Sequence, residues 1–281
     1  MESRETVSNE EWLEERIPVE PGGTLFIDLD RGSVEVRSHD AAEVHIQAEA
    51  RGWAAGMVSF SVSRRENDVE FDGSVDGWFP NLLGQPRIQV RAWVPREYSV
   101  EIETRGGSIR VEEISGRLAA LTRGGRVEAA RVAGPVLART SGGRIEVLDV
   151  LGDLRARTSG GSIRLAGVKG DLEARTSGGS IKIEDAGGEA DARTSGGSIQ
   201  ASFVDEPWGR LETSGGSISV EFRHGAGSDL DARASGGQVR IDSSIHSDGR
   251  QGRHSFRGTL NGGGAPLRLR TSGGSIRVRS G

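Results

Sequence analysis

The chain contains no cysteine among its 281 residues, which rules out disulfide staples and thiolate metal sites. Aromatic residues make up only 5% of it, and no run of 18 apolar residues occurs anywhere. The first leaves too few rings to build a conventional globular core, and the second excludes a membrane-spanning helix. Lysine is nearly absent as well: Lys169 and Lys182 are the only two, and every other basic residue is arginine. There is no P-loop, no GxSxG nucleophile elbow and no CxxC, and the five histidines are dispersed. Residues Met1 to Glu15 are acidic and lack a basic-then-apolar signal segment, so the sequence predicts a cytoplasmic location, with cell-envelope association as the alternative.

What the chain has in abundance is glycine, 43 residues of it. The seven residues Arg157-Thr158-Ser159-Gly160-Gly161-Ser162-Ile163 return unchanged at Arg175 to Ile181 and Arg193 to Ile199. A further unchanged copy stands at Arg270 to Ile276, and close variants at Arg139 to Ile145, Glu212 to Ile218 and Arg233 to Val239. From Gly106 to Gly196 the glycine pairs are spaced by 18 residues each time. Such a period is the signature of a solenoid.

Within one period, Leu154, Ala156 and Thr158 share one parity, Ile163 and Leu165 share one parity beyond the glycines, and Arg155, Arg157 and Arg164 alternate with them. Period-2 alternation marks half-buried strands, two per repeat. Gly160-Gly161 is read as one corner, with positive φ the reason for glycine, and the Gly152, Gly170, Gly188 series as the other. A hexapeptide helix is disfavoured, because Lys169 and Arg175 follow Ile163 at six and twelve residues. A calcium roll is disfavoured too, since no carboxylate follows the glycine pair. The sequence therefore predicts an all-β parallel β-helix (β-solenoid) of 18-residue two-strand repeats, with a thin core of small aliphatic residues.

Residues 1–15 are expected to be a flexible segment, 16–104 a non-repetitive β-sheet or sandwich-like cap, and 105–281 the solenoid. Loop insertions are expected near 205–208, 223–229 and 244–253, where the glycine spacing lengthens. The 37 residues between Gly236 and Gly273 read as two periods, one of which has lost its glycine pair. Charge is uneven: residues 1–104 hold 10 basic and 21 acidic side chains, and residues 105–281 hold 26 and 20.

The most prominent candidate site is an outward column of arginines three places before each glycine pair: Arg139, Arg157, Arg175, Arg193, Arg233 and Arg270. Stacked like charges require solvent, acidic neighbours such as Glu173, Asp191 and Asp231, or a bound polyanion. Trp208, at a lengthened corner, is a candidate for stacking on a sugar. Trp78, Phe79, Leu82 and Leu83 form an apolar stretch suited to contact with a partner. The threonine column, Thr140, Thr158, Thr176, Thr194, Thr213 and Thr271, has inward parity and is expected to bond neighbouring corners. Asp242, Asp248, His246 and His254 are the nearest approach to an acid–base or metal cluster. No cofactor and no metal are expected. The partners the residues suit are an anionic glycan, an envelope polymer or another protein; nucleic acid is disfavoured by the negative net charge and the lack of aromatics among the arginines.

Taken together, Gly32-Ser33-Val34-Glu35-Val36, the Val94-Pro95 strand and the Ser-Gly-Gly-Ser-Ile repeats resemble the bacterial putative-adhesin family of β-strand-repeat domains, a family of unknown function. The resemblance runs from about Ile17 to the end and implies a non-enzymatic, adhesin-like or scaffold role. Two alternatives stand beside it: a self-assembling, filament-like β-helix whose exposed end is the strand Ser275 to Arg279, and a polysaccharide-active enzyme using Asp242, Asp248 or His254.

Overall fold

The computed structural model describes residues 5–8, 11–52, 54–75 and 86–281; Trp53 and the stretch containing Trp78, Phe79, Leu82 and Leu83 lie outside them. Apart from one short 3-10 turn at Ala55–Met57, every described element is a strand. The β-solenoid predicted from the alternation is the architecture observed. The chain divides into two compact units, residues 1–140 and 141–281, each built of two sheets.

In the first unit one sheet runs, in spatial order, Glu5–Ser8, Val58–Arg65, Asp68–Val75, Thr24–Leu29, Ser99–Thr104, Leu118–Thr122 and Val136–Arg139. The other runs Trp12–Pro18, Glu43–Arg51, Arg87–Pro95, Ser33–His39, Ile109–Ile114 and Val127–Val132. Val34 and Val36 lie in parallel register with Ile109 and Val111, so coil geometry is in place as early as the Thr24–His39 turn. Antiparallel hairpin strands cover its outer side. Tyr98, fully buried, donates its hydroxyl to the Asn67 carbonyl, and burial pushes its phenol well above the ordinary tyrosine range. Trp93 stacks on the His45 ring at 4.8 Å, whereas Trp12 is 53% exposed.

The second unit is the more regular. Ile145, Ile163, Ile181, Ile199, Ile218, Ile276 and Val239 succeed one another in register along one sheet, all buried. Each fully buried side chain of this kind contributes about 1.5–3 kcal/mol. The facing sheet supplies Ala156, Ala174, Ala192 and Leu211, also buried and in register. Small residues on that side let the two layers close without aromatic filler, which explains the low aromatic content.

The threonines point inward and stitch the corners. Thr176 Oγ1 donates to the Gly161 carbonyl of the preceding turn at 2.8 Å and accepts from the Gly179 N–H at 3.3 Å. The same pair of bonds recurs at Thr158, Thr194, Thr213 and Thr271. A buried hydroxyl without partners would be costly; here each one serves two backbone groups that no strand ladder reaches.

The glycine corners need a different explanation from positive φ. None of Gly160, Gly161, Gly178, Gly179, Gly196 or Gly197 has a positive φ. The second glycine of each pair is required by stacking: a Cβ on Gly161 would lie 1.8 Å from the Gly143 carbonyl oxygen, and one on Gly179 2.0 Å from that of Gly161. At the first glycine there is room, with the nearest atom 3.8 Å away for Gly160 and 3.5 Å for Gly178. Left-handed residues occur elsewhere, at Asp149, Gly167 and Asp185, 18 residues apart, with φ of 56°, 67° and 56°. Each is a bulge that breaks the alternation, so that Val150, Val168 and Ala186 turn inward after an outward pair.

Order in space departs from order in sequence near the end of the chain. The strands run Gly209–Thr213, Pro266–Thr271, Ser228–Ala234 in one sheet and Ile218–Phe222, Ile276–Ser280, Val239–Ile241 in the other. The final turn is thus inserted between two earlier ones. This corrects the expectation of a turn without its glycine pair between Gly236 and Gly273: residues 247–260 form an antiparallel hairpin, Ser247–Gln251 with Ser255–Leu260, laid on Ser228–Ala234. The stretch 244–253, read as a protruding loop, contains a strand of that hairpin. The strand Ser275 to Arg279 is likewise no exposed end; it has a parallel neighbour on both sides.

Candidate functional site

The arginine column lies along the outer face of one sheet. In the second unit the strand registers align Arg157, Arg175, Arg193, Glu212, Arg270 and Arg233 in one row. A parallel row two residues earlier holds Arg155, Glu173, Asp191, Arg210, Arg268 and Asp231. Carboxylates of one row meet guanidinium groups of the other. Glu173 lies 2.6 Å from Arg157 and 2.9 Å from Arg175; Arg193 lies 3.0 Å from Asp191; Arg210 lies 2.7 Å from Glu212. Asp231 gathers Arg270 at 2.6 Å, Arg257 at 3.2 Å and Arg233 at 3.8 Å. Of the three remedies for stacked like charge, the one in place is acidic neighbours. Arg139 ends a strand of the first unit and is exposed.

The opposite corner of the second unit carries a recess. Three departures from the repeat, at residues 204–208, 223–227 and 261–265, fall on the same side as the regular Gly152, Gly170 and Gly188 corners, and they pack on one another. Asn261 Nδ2 donates to the Ala226 carbonyl at 2.8 Å, Ser228 Oγ donates to the Ala265 carbonyl at 2.8 Å, and a Cβ on Gly264 would stand 3.2 Å from Glu206 Oε2. Between them opens a cavity of about 610 Å³, lined by Gly187, Asp205, Glu206, Trp208, Arg223, Ala226 and Ala265. Trp208 is half-buried there, and its backbone carbonyl accepts the Ala190 N–H at 3.2 Å.

Two of the four candidate acid–base residues, Asp242 and His254, are engaged locally. Asp242 Oδ1 accepts from the Ser244 N–H and hydroxyl, both at 3.1 Å. His254 Nδ1 donates to the Gly237 carbonyl at 2.5 Å, at the corner where a threonine of a further turn would bond. Asp248 and His246 are exposed on and beside the hairpin. Among the described residues no group of three or more His, Asp or Glu side chains is placed to hold a metal ion, and no helix is long and apolar enough to cross a membrane.

The profile of the Toastrack family, DUF4097, matches residues 23–279. The chain is a Toastrack protein. The resemblance carried by the Ser-Gly-Gly-Ser-Ile repeats points to this same family of unknown function. No curated protein sequence matches the chain. Among solved structures it is similar to a putative cell adhesion protein from Clostridium sporogenes, with 12% identity over 96% of this chain and 100% of the other and a TM-score of 0.27. It is also similar to a putative adhesin from Bacteroides fragilis, with 11% identity over 96% and 97% and a TM-score of 0.40. Both are too distant to bear on function.

The other sheet of this Toastrack chain carries a second charged row; its regular part follows the 18-residue spacing, and the adjacency of Arg277 and Arg240 depends on the inserted turn. The members of the row are Glu146, Arg164, Lys182, Gln200, Ser219, Arg277 and Arg240. Arg164 and Lys182 are matched by Glu184 at 2.9 and 2.8 Å. Arg277 and Arg240 stand directly opposite each other with Arg279 beside them, all exposed, and among the described residues no carboxylate lies within 4.0 Å of any of the three.

The ion pairs make the stability of the Toastrack coil acid-sensitive. The hydrogen bond from Arg270 holds Asp231 below the usual aspartate range; burial opposes this, and the nearby charge of Arg270 and the bond from Arg257 reinforce it. Burial by itself would raise Glu173, but the bond from Arg157 and the three surrounding guanidinium groups outweigh it. A carboxylate whose folded pKa is depressed contributes stability above its unfolded pKa and loses it as pH falls through the folded value. The urea midpoint should therefore drop as pH falls from about 5 to about 3, and less steeply in Asp231→Asn. Equal slopes for the two proteins would remove Asp231 from the account.

Proposed function

We propose that this Toastrack protein is a non-catalytic, adhesin-like binding scaffold that holds an anionic polymer, such as an acidic glycan or envelope polymer, on the sheet face around Arg240, Arg277 and Arg279. The observation that carries the reading is the facing pair Arg240 and Arg277, in register on adjacent strands without a carboxylate partner. Like charges directly opposite on neighbouring strands are destabilising, and a polyanion relieves the repulsion that the fold leaves in place. The arginine column is the weaker candidate, because Glu173, Asp191, Glu212 and Asp231 already neutralise it. Flat sheet faces built on a rigid coil suit an extended chain better than a compact substrate.

Binding to a panel of anionic and neutral polymers at two salt concentrations tests this. Arg240→Ser with Arg277→Ser should abolish the salt-sensitive binding, whereas Arg157→Ser, Arg175→Ser and Arg193→Ser together should retain it. The reverse pattern would return the ligand face to the column. Salt-sensitive binding unaffected by either set would exclude both faces.

A further inference from the structure

Three irregular corners of a repeat that is otherwise strict come together at Trp208, and what they enclose has the chemistry of a binding site. Closing a corner of this coil takes no more than the glycine and aspartate seen at 152–153 and 170–171. Here the chain instead places an aromatic side chain, two carboxylates and a guanidinium around an open recess whose lining also includes Gly187, Ala226 and Ala265. We propose that this recess binds a pyranose ring of a neutral glycan.

The argument rests on how the lining groups are left. On the neighbouring face almost every guanidinium of the two rows has a carboxylate within 4.0 Å. In the recess, among the described residues, no ion pair of that length joins Arg223 to Asp205 or Glu206. Their hydrogen-bonding capacity is therefore open to a ligand that needs acceptors and donors side by side. Sugar hydroxyls do both: they donate to carboxylate oxygens and accept from a guanidinium, and bonds to charged groups are the stronger kind. The half-buried indole offers an apolar surface to the C–H face of the ring, and the small lining residues leave room for it. The two carboxylates disfavour a phosphate or an acidic sugar, and Arg223 disfavours a quaternary ammonium group. The recess is open to solvent, so it leaves a path for a longer glycan to continue from the bound ring. This site is independent of the cationic, polyanion-binding face around Arg240 and Arg277.

Saturation-transfer NMR with methyl glycosides of glucose, galactose, mannose and N-acetylglucosamine, and with tetramethylammonium as the competing chemistry, tests the proposal on the full chain. At least one glycoside should receive saturation, strongest on the protons of one ring face. Asp205→Asn and Arg223→Gln, both at exposed positions, should each weaken its binding by roughly tenfold, and Trp208→Ala should abolish it. Arg240→Ser with Arg277→Ser should leave it unchanged, which separates this site from the arginine face. Failure of every glycoside to bind would overturn the proposal. So would binding of tetramethylammonium in their place, or glycoside binding that survives Asp205→Asn, Arg223→Gln and Trp208→Ala.

Discussion

Gly179→Ala lowers stability by at least about 3 kcal/mol, while Gly178→Ala changes it by no more than about 0.5 kcal/mol; this is the outcome expected for two adjacent glycines of one corner. The difference comes from what a methyl group would meet. On Gly179 it would overlap the Gly161 carbonyl oxygen at 2.0 Å, and that atom belongs to a backbone held by ladders on both sides. No side chain can move aside to relieve the clash. On Gly178 the nearest atom is the Gly160 carbonyl oxygen at 3.5 Å, an ordinary contact. If positive φ were the reason for glycine here, both positions would be open to asparagine and closed to alanine. Chemical denaturation of the two single variants decides between the explanations, and equal losses would refute the stacking one.

Removing residues 266–281 should unravel more than it deletes. That turn buries Leu267, Leu269, Ile276 and Val278 and has parallel partners on both sides, Gly209–Thr213 and Ile218–Phe222 on one, Ser228–Ala234 and Val239–Ile241 on the other. Without it the 228–241 turn and its hairpin at 247–260 have no strand to rest on. Amides of residues 228–260 should then lose protection from hydrogen exchange by at least about a hundredfold, while those of residues 154–203 keep theirs. Retained protection over 228–260 would mean that Ser228–Ala234 re-pairs directly with Gly209–Thr213, as it would in a coil whose turns followed sequence order.

Much of this architecture is legible in the chain itself. The parity of Leu154, Ala156 and Thr158 against Arg155 and Arg157 is enough to place two strands per repeat and to turn the threonines inward, because alternation is imposed by the strand and not by its neighbours. The bulges at Asp149, Gly167 and Asp185 were less visible. Their trace is Val168, which stands at the wrong parity after Ile163 and Leu165, and a parity change in so short a strand also reads as its end. The role of glycine is ambiguous in the sequence because a φ requirement and a close backbone approach call for the same residue; only the preceding turn's carbonyl separates them. The inserted turn left no local signal either. Arg270 to Ile276 matches the repeat better than Arg233 to Val239, and the better copy fills the inner layer, but a match does not state which layer it joins. For the same reason the facing pair Arg240 and Arg277, which are 37 residues apart in sequence, could not be read from spacing, while the arginine column could. At Trp208 the sequence marks an irregular corner, and only the fold brings the 223–227 and 261–265 irregularities to its side.

The inserted turn also determines how the coil bears load. In a coil whose last turn lies outermost, tension entering at the end of that turn peels one ladder open bond by bond, from a free edge inward. Tension entering this chain at Ser280 meets Ile276–Ser280, which is hydrogen-bonded to Ile218–Phe222 on one side and to Val239–Ile241 on the other. The strand must slide past two neighbours together, loading both ladders in shear along their length. Pulled from that point, the coil resists as a clamped layer and not as a zipper.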